Sequence, residues 1–85
     1  MLAAPSRTVF DVITDFLASN PTPEQILAFR LPNEMEAYAS QLLEHRREQG
    51  LAREEELELF DFIRADDMMT LLKAKTRLST TTADL

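Results

Sequence analysis

"NEMEAYASQLLEHRREQGLAREEELELFDFIRADDMMTLLKAKTRL", residues 33–78, decides the fold. In its first part Met35, Tyr38, Ala39, Leu42 and Leu43 recur at i, i+3, i+4, i+7 and i+8, the spacing that lines one face of a helix. His45, Arg46 and Arg47 follow, where positive charge suits the helix dipole. Gly50, the only glycine, supplies the left-handed residue at which such a helix stops. The pattern predicts a helix from about Asn33 to Gln49. A second begins near Ala52 or Arg53 and is expected to reach Leu78, about 39 Å at 1.5 Å per residue. Glu54, Glu55, Glu56 and Glu58 open it and Lys73, Lys75 and Arg77 close it, a gradient that would complement the macrodipole. Joined by so short a turn, the two are expected to lie antiparallel as a hairpin.

The long helix is apolar on two sides. At about 100° per residue, Leu57, Phe60, Met68, Leu71, Leu72 and Leu78 fall within about 120° of one another. This stripe is the one expected under the preceding helix. Leu59, Phe62, Ile63 and Met69 point largely the other way. Either the N-terminal helices close over that second face, or it is exposed as a dimer or partner surface. The interface reading is preferred, because the N-terminal helices offer few apolar side chains and methionine suits adaptable interfaces.

Upstream, "NPTPEQILAFRLPNE", residues 20–34, reads as a corner between helices. The first helix is expected over Arg7 to Ala18 with Ser6 as its cap; Val9, Ile13, Phe16 and Leu17 form its stripe, with Asp11 and Asp15 on the solvated side. Asn20-Pro21 stops it, since the residue before proline disfavours helical geometry. Thr22, Pro23 and Gln25 then make a capping box with proline at the first helical position. Ile26, Leu27 and Phe29 face inward on a short helix that Leu31-Pro32 ends, leaving Phe29-Arg30 to project at the corner as a possible anchor. The tail "STTTADL", residues 79–85, lacks periodicity and is expected to be disordered. The reading is all-α: a small helical bundle of two short N-terminal helices followed by a long antiparallel hairpin, one domain over residues 1–78.

Composition narrows function by exclusion. A chain of 85 residues buries only roughly 60% of the surface its unfolded form exposes, so assembly with another chain would add needed burial. It has no cysteine, which excludes disulfides and thiolate metal sites. Fifteen acidic against nine basic residues give a net charge of −6, which disfavours nucleic acid and suits a basic partner. No apolar run approaches the roughly 20 residues of a membrane span, and Asp11 and Asp15 interrupt any signal peptide, so a cytoplasmic location is expected. One histidine and one glycine leave no di-iron, zinc-protease or phosphate-loop pattern, and the Glu54–Glu58 run lacks the ligand spacing of a calcium loop. The chain reads as a non-enzyme that needs no cofactor and no metal.

Residues 16–78 resemble a family of small acidic helical bacterial proteins. Members read N-P-T-P-E-E-I-I-A-F-R near the start, then E-L-L-E-R-N-R-E-G, E-E-E-A-E-L and L-L-K-A-R-A-R. The matching positions are Asn20-Pro21-Thr22-Pro23-Glu24, Ala28-Phe29-Arg30, Leu42-Leu43-Glu44, Arg47-Glu48, Glu54-Glu55-Glu56 and Leu71-Leu72-Lys73-Ala74-Lys75. The resemblance implies an antitoxin-like role, an acidic protein masking a basic nuclease, and carries over no catalytic residue. One departure is Leu51-Ala52-Arg53-Glu54, where the family has Leu-Thr-Pro-Glu; without the threonine cap the helix start is expected to fray, losing roughly 1 kcal/mol. The functional expectation is a protein-binding module contacting its partner through Phe29, Arg30, Leu59, Phe62, Ile63 and Met69. The alternative is a structural homodimer pairing through the last helix. A DNA-binding role for Lys73, Lys75 and Arg77 ranks third, because the acidic whole would repel a duplex.

Overall fold

The computed structural model describes residues 7–83, with side chains as far as Ser79. It is all-α, with helices α1 (Val9–Ala18), α2 (Pro23–Leu27), α3 (Asn33–Glu48) and α4 (Arg53–Ala83). The molecule is elongated, 52 × 23 × 18 Å, because α4 is a single 31-residue rod and α1, α2 and α3 all pack upon it.

The corner folds as its sequence dictates. The Thr22 amide donates to Gln25 Oε1 at 2.8 Å and the Gln25 amide to Thr22 Oγ1 at 3.2 Å, so two otherwise free donors satisfy each other. Asn20 takes φ 60°, the left-handed geometry asparagine tolerates, and turns the chain out of α1. Gly50 does the same after α3 at φ 80°.

Two helix boundaries and one cap differ from the sequence reading. Helix α1 starts at Val9, not Arg7, because Thr8 and not Ser6 is the cap: its hydroxyl accepts from the Asp11 amide at 3.1 Å. Ser6 itself lies outside the described residues. The start of α4 is capped after all, since the Ala52 amide donates to Glu55 Oε1 at 3.0 Å, half of a capping box. At the other end α4 runs on through Ser79 to Ala83, where disorder was expected; only residues 84–85 of that tail lie outside the described residues. Just before this stretch, Thr76 Oγ1 donates to the Leu72 carbonyl at 2.7 Å, so its hydroxyl is satisfied by the helix itself. Lys73, Lys75 and Arg77 therefore sit short of the last turn, beyond effective reach of the dipole.

The largest correction concerns the face of α4. Its inward side carries Leu59, Phe62, Ala65, Met69 and Leu72 at spacings of three and four. One core cluster joins Val9 and Ile13 of α1 to Ala65 and Met69, with Phe29, Leu31, Phe62 and Leu72 packed against it. A second joins Tyr38 and Leu42 of α3 to Leu59, with Leu51 and Phe62 around it. Phe62 touches both. The stripe expected under α3 faces solvent instead: Leu57, Phe60, Met68, Leu71 and Leu78 are 41–67% exposed. Ala65 explains the choice, because its small side chain lets α1 approach the rod, and no residue of the outward stripe is that small until Ala74.

Candidate functional site

Two clefts run along α4 and share the residues between them. The first, about 280 Å³, lies between the α1–α2 corner and α4; its walls include Ile13, Phe29, Arg30, Ala65, Met69 and Lys73. The second, about 360 Å³, lies between α3 and α4 and is lined by Ala39, Ser40, Leu43, Leu59, Phe62 and Ile63. Leu31, Glu36 and Asp66 belong to both, so the two form one groove. From Leu59 to Lys73 it follows α4 for about 21 Å at 1.5 Å per residue.

All six residues singled out from the sequence line this groove: Phe29, Arg30 and Met69 in the first cleft, Leu59, Phe62 and Ile63 in the second. Their depth differs from the expectation. Leu59 and Met69 are 2% and 6% exposed, so they form the floor and hold the core rather than an outer face. Phe62 is half-buried between the two core clusters. Phe29 does not project freely; its ring lies 4.5 Å from that of Phe16, tilted by 38°, and packs on the α1 cluster. Ile63, 42% exposed, and Leu43, also 42%, are the accessible apolar walls.

The polar groups set the chemistry. Arg30 reaches Glu36 at 3.3 Å across the rim, an exposed pair of small energetic value. Lys73 Nζ donates to the Phe29 carbonyl at 2.8 Å and so fastens the corner to α4. In the second cleft the only charged lining groups are the carboxylates Glu36 and Asp66. Lys73, Lys75 and Arg77 make no common cationic patch: Lys73 is committed to Phe29, and Lys75 and Arg77 stand about 160° apart on the wheel.

Sequence reasoning missed Leu31, Leu43, Glu36 and Asp66 as groove residues. The first two are ordinary apolar positions of the corner and of α3, and only the packing shows that α1 covers one side of the α3–α4 pair and leaves the other open. His45 is half-buried, with an Nδ1 that has no hydrogen-bond partner. Among the described residues no group of three or more His, Cys, Asp or Glu side chains is placed to hold a metal ion. No described helix is long and apolar enough to cross a membrane.

Compared with protein-family profiles, curated proteins and solved structures, the chain gives no significant match.

Proposed function

We propose that this chain is a non-catalytic protein-binding module that takes an amphipathic, basic helix of another protein into the groove along α4. The observation that carries this reading is the second cleft, whose accessible walls are Leu43 and Ile63 and whose charged groups, Glu36 and Asp66, are both acidic. Helix-in-groove recognition uses apolar anchors at i, i+3, i+4 and i+7, and Lys or Arg flanking them would meet Asp66 and compete with Arg30 for Glu36. A segment of about 14 residues matches the groove's length.

The pairing of α3 with α4 supports the same picture. Tyr38 meets Phe62 and Leu42 meets Leu59, so contacts descend α4 as they climb α3. That order supports the reading of α3 and α4 as an antiparallel helical hairpin, with α1 on one flank and the groove on the other. The net charge of −6 suits a basic target. The antitoxin-like resemblance makes a masked nuclease one candidate for it. A second reading, assembly with its own copy, is favoured by a different face, the outward stripe of α4.

A photo-reactive side chain at Ile63, compared with one at Gln41 on the exposed side of α3, tests the groove in the native cell. The expected result is a cross-linked basic protein from position 63 and none from 41. Equal products at both positions, or an acidic protein, would overturn the reading.

A further inference from the structure

Of the two carboxylates shared by the clefts, one is engaged and the other is free. The Arg30 guanidinium meets Glu36 through two contacts, Nε to Oε1 at 3.4 Å and Nη2 to Oε2 at 3.3 Å. Asp66, exposed on α4, makes no ion pair or side-chain hydrogen bond among the described residues. Both guanidinium contacts are longer than the roughly 2.7–2.9 Å of a tight charge-assisted pair. The Arg30 and Glu36 side chains are also 78% and 40% exposed, so water competes for each of them. The backbone beneath Arg30 is better held. On one side the Phe29 carbonyl accepts from Lys73 Nζ at 2.8 Å and the Phe29 ring lies against that of Phe16; on the other, Leu31 packs on the α1 core cluster. Rotation of its own side chain therefore frees the guanidinium from Glu36 without moving the corner.

We propose that Arg30 is an autoinhibitory contact of the groove, its guanidinium holding Glu36 in the place that a cation of the bound helix takes. The inference rests on the groove reading and adds to it the order in which the carboxylates are used. Glu36 lines both clefts, whereas Arg30 lines only the first. A Lys or Arg carried by a helix in the second cleft thus approaches Glu36 from the cleft that Arg30 does not line. Asp66 accepts the first such cation without breaking any contact. A second cation gains Glu36 only by returning Arg30 to water, so part of its attraction offsets the pair that is lost. Arg30 in this way sets how much a second positive charge on the partner is worth.

The probe is a displayed library of helices about 14 residues long, with apolar anchors at i, i+3, i+4 and i+7 and lysine, glutamine or glutamate between them, selected on the full chain. The tightest binder, and the same peptide with its lysines changed to glutamine, are then titrated against the unaltered chain, Arg30→Gln, Glu36→Gln and the double variant. At about 0.15 M salt, exposed charges more than about 8 Å apart are largely screened. Arg30→Gln is expected to bind the lysine-bearing peptide about two- to five-fold more tightly, the range for an exposed pair, and the glutamine form no differently. That gain should vanish when Glu36→Gln is also present. A gain that persists without the Glu36 carboxylate would overturn the proposal, because general repulsion by Arg30 would then account for it. Binding that Ile63→Glu abolishes but Arg30→Gln leaves unchanged or weakens would overturn it as well, with the groove reading intact; a weakening would make Arg30 a partner contact. Selection of no binder, or only of binders indifferent to Ile63→Glu, would overturn the groove reading and this inference together.

Discussion

The Tyr38 hydroxyl donates to both carboxylate oxygens of Glu58, at 3.0 Å each, and this bond ties α3 to α4 at one register. Tyr38 is 4% exposed, and its ring meets Phe62 edge-on at 6.2 Å. Burial, then the bond to Glu58, then the negative charge of Glu58 and Glu55 push its pKa from 10.0 up to about 12. The chain has a single tyrosine, so its ultraviolet titration reports this contact alone.

The sign of the pH dependence follows. Between about pH 10 and 12 the unfolded tyrosine has lost its proton while the folded one keeps it, so the unfolded state binds fewer protons and stability falls as pH rises. Below pH 10 this group contributes no pH dependence. The tyrosinate midpoint should lie near 12 in the native protein, and Glu58→Gln should lower it by removing the adjacent charge. Tyr38→Phe keeps the ring and should cost about 1.5–3 kcal/mol in urea denaturation, the range for a hydrogen bond to a charged group. An unchanged midpoint in Glu58→Gln would mean that burial alone sets the shift.

The two faces of α4 should respond oppositely to substitution. Leu59→Ala and Leu42→Ala remove side chains that are 2% and 0% exposed, and each should cost about 2–5 kcal/mol. Among the described residues only eight hydrophobic side chains are buried, so a loss of that size would unfold most of the protein. Phe62→Glu places a charge between both core clusters and should abolish the cooperative thermal transition. Leu57→Ala, at a residue 57% exposed, should change stability by less than about 0.5 kcal/mol. Thermal melts of these variants check the assignment; equal losses at Leu57 and Leu59 would reverse it.

Caps should matter locally. Thr22→Ala removes the acceptor for the Gln25 amide and is expected to cost about 1 kcal/mol. Because α2 has only five residues, hydrogen exchange of the Ile26 and Ala28 amides should rise more than that of α3. Glu55→Ala should expose the Ala52 amide to fast exchange while leaving the middle of α4 protected.

What the sequence discloses here tracks the range of the interaction concerned. Thr22, Pro23, Gln25 and Gly50 act within a few residues, and their turns are legible as written. The spacing of Met35, Tyr38 and Leu42 places the buried face of α3, because that helix has one apolar side. Helix α4 has two, and periodicity cannot say which will be covered. That depends on Ala65 admitting α1 and on Glu58 meeting Tyr38, contacts made across more than a dozen residues. The groove was legible only as a set of names: Leu59, Phe62, Ile63 and Met69 do converge, with the first and last as its floor. Its rim of Glu36 and Asp66 comes from two helices and has no local signature.

The most direct test compares three tagged baits recovered from the native cell: the unaltered chain, Ile63→Glu in the groove and Leu71→Glu on the outer stripe. Both substitutions sit at exposed positions, so all three baits should fold. A basic protein retained by the unaltered chain and by Leu71→Glu, and lost with Ile63→Glu, is the expected result. Retention by Ile63→Glu, or loss with Leu71→Glu alone, would contradict binding in the groove.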